Sequence, residues 1–119
     1  MRSIVSLTAI VLLAISLCAM QALAEVRDGS VTVDVAGTAE PLSTTLEPAL
    51  WVTVQCQTDN VGHCFIGGST IEDGRGIELA PGDSYHLQSA ANLVYDLRSI
   101  YADVASSGDK VTFVYFKAN

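Results

Sequence analysis

Polar and apolar residues alternate over short stretches of this chain, and after residue 24 no stretch sustains a helical repeat for three turns. Ser30 to Ala36 sets Val31, Val33 and Val35 on one face against Thr32 and Asp34. Leu50 to Cys56 sets Leu50, Val52, Val54 and Cys56 together and turns Trp51, Thr53 and Gln55 the other way. Cys64 and Ile66 share a parity in His63 to Gly67, so a hairpin over Thr58 to Gly62 would bring both cysteines to the core side of neighbouring strands. Gly76 to Leu79 runs into Ala80-Pro81-Gly82-Asp83, a type II turn signal, with Ser84 to Leu87 as the return strand. Asp96 to Val104 reads as a short helix or as a strand, and it ends at the turn Ser106-Ser107-Gly108-Asp109. Val111 to Phe116 is apolar on both faces, which fits a central strand covered twice or an edge covered by another subunit. Thr38 to Pro48 and Gln88 to Leu93 are loop-like. The sum is an all-β, antiparallel sandwich, jelly-roll or immunoglobulin-like, of about seven or eight short strands.

The first residues change the compartment. Met1-Arg2, the apolar run Ile4 to Met20 and the small-residue step Ala22-Leu23-Ala24 make a secretory signal peptide over residues 1–24, too short for a bilayer span. Cys18, after Leu17, is an ordinary apolar residue of that leader. The mature chain then runs from Glu25 to Asn119 as one domain with one modest core, secreted or periplasmic and free of the membrane once the leader is removed.

In an oxidising compartment the two remaining thiols, Cys56 and Cys64, form an intrachain disulfide by default. A metal pair is the competing reading, but only His63 and His86 are at hand to complete a site that needs three or four ligands. Arg27, Arg75, Arg98, Lys110 and Lys117 face thirteen acidic residues, an excess that disfavours nucleic acid and anionic membranes as partners and keeps an exported domain soluble.

Catalytic patterns are missing from the sequence. Ser69 in Gly67-Gly68-Ser69-Thr70-Ile71 lacks the spacing of a nucleophile elbow and reads as a turn. Glu72-Asp73-Gly74 reads as a hairpin tip, without the alternating oxygens of a calcium loop. No cofactor and no metal are implied. Trp51 stands out: if Val52, Val54 and Cys56 face the core, Trp51 points outward beside Thr53 and Gln55 and offers an exposed contact anchor, unless that second face is covered too.

Four pieces of the chain resemble small structural and accessory proteins of tailed bacteriophages and prophages. They are Ile66-Gly67-Gly68-Ser69, Gly76 to Ser84 (GIELAPGDS), Asp96-Leu97-Arg98-Ser99-Ile100-Tyr101, and Ser107-Gly108 before Val111 to Phe116. The likeness covers Leu50 to Phe116, implies a β-sandwich with a virion role, and carries no catalytic residues. The leader and the cysteine pair depart from its pattern. The expected function is a non-enzymatic structural or interaction module with a protein partner or a homo-oligomer. The alternative is a small-ligand or carbohydrate-binding module that stacks on Trp51 and on Tyr85 or Tyr101.

Overall fold

A computed structural model describes residues 25–90 and 93–118; the expected leader, 1–24, lies outside the described residues. The strands are β1 (Glu25–Thr32), β2 (Glu40–Pro41), β3 (Pro48–Cys56), β4 (Cys64–Gly67), β5 (Ile77–Leu79), β6 (Ser84–Gln88), β7 (Tyr95–Asp96), β8 (Tyr101–Val104) and β9 (Lys110–Lys117). One sheet has the order β1-β9-β3-β6, with the two-residue β7 also on β3, and the other has the order β2-β8-β4-β5. Every pairing is antiparallel. The pairs β1–β9, β2–β8, β3–β6 and β4–β5 nest inside one another, as in a long hairpin rolled up so that successive pairs alternate between the two sheets. That winding is a jelly roll rather than an immunoglobulin arrangement. Among the described residues no helix is long and apolar enough to cross a membrane.

The core lies between the sheets. Val52, Val54 and Cys56 of β3 meet Val111, Phe113 and Tyr115 of β9 on one side, with Cys64, Ile66, Leu79, Ala102 and Val104 across from them. Leu50 is not among them. The β3–β9 register slips between Ala49 and Trp51, so Leu50 becomes the extra residue of a bulge and Ala49 takes the buried place. The freed Leu50 carbonyl accepts hydrogen bonds from the Ser89 N–H and hydroxyl, at 3.2 and 3.1 Å.

The structure corrects the local readings wherever a turn crosses the sandwich. Cys56 and Cys64 are disulfide-bonded, with α-carbons 5.6 Å apart, but β3 and β4 belong to different sheets, so the bond spans the core instead of closing a hairpin. The Pro81-Gly82 turn forms, with Gly82 at φ +93°, yet it passes the chain from β5 in one sheet to β6 in the other, and β6 pairs with β3. β1 begins earlier than the Val31-Val33-Val35 alternation predicts and ends at Thr32, opposite the first residue of β9. Val33 is buried, whereas Val35 lies in the following turn and is largely exposed. Asp96 to Val104 is partly each alternative, a 3-10 turn over Leu97–Ser99 followed by β8.

The outer faces of the two sheets differ. On the second, Phe65 of β4 and Asp103 of β8 are register partners, and loops bury both. The Asp103 carboxylate accepts hydrogen bonds from the Gly37 N–H at 3.0 Å and the Val104 N–H at 2.8 Å, holding the loop after β1 over this sheet. β9 is central in the first sheet, and its outer face is left open: Val114 is 39% exposed.

Candidate interaction face

Alternation and register together lay out the outer face of the first sheet in rows. Val26, Phe116, Trp51 and Gln88 form one row; Asp28, Val114, Thr53 and His86 the next; Ser30, Thr112, Gln55 and Ser84 a third. Thr32 and Lys110 close the end. Trp51, Thr53 and Gln55 therefore share this face. Trp51 is half-buried rather than freely exposed, because its ring stacks parallel on Phe116 with centroids 6.0 Å apart, and the His86 ring flanks it at 5.6 Å.

Hydrogen bonds hold the polar members in place. Thr53 Oγ1 and His86 Nδ1 are bonded at 2.7 Å, and the Gln55 amide donates to the Gly82 carbonyl at 3.2 Å. A shallow depression of about 650 Å³ runs over Asp28, Ser30, Thr53, Gln55, Thr112 and Val114. One end of the face is thus aromatic and aliphatic, with Val26 62% exposed, and the other end carries hydroxyls and amides. Among the described residues Asp28 and Lys110 are its only fully charged side chains, a near-neutral surface on an acidic chain.

Sequence parity reaches Trp51, Thr53 and Gln55 but misses Phe116, Val114 and His86. The two-sided apolar character of Val111 to Phe116 was the available signal for the first two. Nothing local pointed to His86, which joins through the β3–β6 register.

Other candidate residues stay apart. Tyr85 has the inward parity of β6 and sits at the opening between the sheets, with Leu87 and Tyr95. Tyr101 projects from the outer side of the second sheet, so Trp51, Tyr85 and Tyr101 do not share a stacking platform. His63 lies 3.3 Å from Glu78 on the second sheet, away from His86 on the first. Ser69 lies in a turn closed by the Ile71 N–H donating to the Gly68 carbonyl at 3.2 Å. Glu72 and Arg75 form a single bridge around Gly74, which has φ +85°. Among the described residues no three His, Cys, Asp or Glu side chains gather as metal ligands.

The groups whose protonation the fold shifts belong to the frame. The Arg98 guanidinium, 2.8 Å from Asp96, holds that carboxyl below its usual range at the cap of the 3-10 turn. Burial pushes the Tyr115 hydroxyl above the usual tyrosine range, and the nearby Glu47 carboxylate adds to the effect. No protein-family model matches this chain, and no curated protein matches it in sequence.

Proposed function

We propose that this chain is an exported, non-enzymatic jelly roll that acts as a structural or interaction module through the outer face of β1-β9-β3-β6. One contrast carries the reading. Phe65 on the outer side of the second sheet is 3% exposed under its loops, while Val114 on the outer side of the first is 39% exposed beside Trp51, Phe116 and Val26. An open sheet face that carries Val26, Val114 and a stacked aromatic pair has the make-up of a contact surface. The inter-sheet disulfide supports a compartment outside the reducing cytoplasm, and the leader-like residues 1–24 support export.

The likeness to bacteriophage structural proteins points to assembly rather than catalysis. Jelly rolls also serve as lectin domains, and the fold alone does not choose between the two roles. Against the sugar platform expected from the sequence, Tyr85 and Tyr101 each stand on a different surface from Trp51.

A photo-cross-linking amino acid placed at Thr53, and in a second variant at Glu78 on the opposite sheet, tests this in cells that make the protein. Adducts are expected from position 53 and not from position 78. Their absence at 53, or equal yields from both, would overturn the reading.

A further inference from the structure

We infer that the partner of this face is a second copy of the same chain, docked about a two-fold axis that runs parallel to the strands between β9 and β3. This rests on the reading of that face as the interaction surface. A symmetric contact uses the same patch on both copies, so the patch must complement itself. An axis along the strands reverses the strand order and keeps the rows. Phe116 of one copy then faces Trp51 of the other, Val114 faces Thr53, Thr112 faces Gln55 and Ser30 faces Ser84. In the second row Asp28 and His86 stand at opposite ends, so the same axis brings each Asp28 opposite the other copy's His86.

The alternative axis, across the strands, keeps the strand order and reverses the rows. It sets the Trp51 and Phe116 end against the Lys110 end, so apolar side chains meet a charge.

Charge also favours a like partner. Two acidic chains repel, but on this face Asp28 and Lys110 balance, so the approach costs little here and more elsewhere on the surface. Aligned sheets pack about 10 Å apart with a twist of about 30°, which keeps the central rows opposed. Four strands about 4.8 Å apart, with same-face residues about 6.8 Å apart, cover roughly 400 Å² per copy in projection, half of the ~800 Å² of a standard interface. The contact therefore belongs to the small, reversible end of protein interfaces.

Trp51 is the single tryptophan of the chain, so its emission reports on this contact. Exported protein is followed by sedimentation equilibrium and tryptophan fluorescence from about 1 µM to several hundred µM. The expected result is a doubling of mass with a parallel blue shift, both removed by Thr53→Arg with the far-ultraviolet dichroism unchanged. Gln55→Arg, at an exposed position, serves the same purpose if the first variant does not fold. Asp28→Lys should weaken the pair about tenfold, and Asp28→Lys with His86→Glu should recover it.

A monomer at every concentration, or a dimer that neither arginine variant disturbs, would overturn the proposal. If the protein stays monomeric while position 53 cross-links to a protein of another mass in cells, the face is an interaction surface and only the second copy falls. If position 53 yields no adducts either, both readings fall.

Discussion

Asn60 and Lys110 are joined in both directions: the Asn60 side-chain amide donates to the Lys110 carbonyl at 2.7 Å, and the Lys110 N–H donates to the Asn60 side-chain carbonyl at 2.9 Å. One side chain thereby imitates a strand partner and continues the β3–β9 ladder past Cys56. The same amide nitrogen lies 3.2 Å from both sulfurs of the disulfide. Asp109 holds the rest of this loop, its carboxylate accepting from the Val61 and Gly62 N–H groups at 3.1 and 2.9 Å. Asn60→Ala takes its partner from the Lys110 N–H and leaves the Lys110 carbonyl only the Gln57 N–H at 3.2 Å among backbone donors, and should cost about 0.5–1.5 kcal/mol. Asn60→Asp, which offers only acceptors, should cost at least as much at neutral pH. Urea unfolding of the two variants checks both values.

The disulfide closes a ring of sequence separation 8 between the two sheets. Replacing Cys56 and Cys64 together by Ala should lower stability by about 2–3 kcal/mol on the chain-entropy account. The jelly roll should persist, because Val52, Val54, Ile66 and Val104 still pack between the sheets. Denaturation midpoints together with near-ultraviolet dichroism measure the loss and test the persistence. Loss of the near-ultraviolet signal in the variant would show that the bond is required for the fold itself.

Phe113 packs across Gly29 of the neighbouring strand, so that a β-carbon at position 29 would lie 2.5 Å from the end of the ring. Gly29→Ala should therefore destabilise by about 1–3 kcal/mol through overpacking, although alanine usually restricts the unfolded chain favourably. Pairing it with Phe113→Leu should recover part of the loss, since the shorter side chain leaves the space above residue 29. A double-mutant cycle gives the coupling, and strictly additive effects would contradict this packing.

Tyr115 gives the fold an alkaline limit. Burial, then the Glu47 carboxylate 3.4 Å from its hydroxyl, keep this group protonated to higher pH than an ordinary tyrosine. The unfolded chain releases the proton first, near pH 10, and so binds fewer protons there than the native state. This contribution is complete below about pH 10 and is lost as pH rises through the native value. Tyr115→Phe should flatten the fall in stability that sets in above about pH 10. Denaturant titrations across that range are the measurement.

The chain's local pattern was enough to establish an all-β fold, the buried parity of Val52, Val54 and Cys56, the outward parity of Trp51, Thr53 and Gln55, and the Pro81-Gly82 and Ser107-Gly108 turns. Each follows from a period of two or from the backbone preference of one or two residues. Tertiary structure decided the rest, because pairing is made by residues far apart in the chain. The bulge that exchanges Leu50 for Ala49 arises in the β3–β9 register. The passage of Cys56 and Cys64 into opposite sheets follows from the rolled topology. Loops that bury Phe65 and Asp103 while Val114 stays open break the equivalence of two strand faces that look alike in sequence. Trp51 finds Phe116 only once β9 lies beside β3, sixty-odd residues away in the chain, and alternation along one strand carries no information about which strand will be its neighbour.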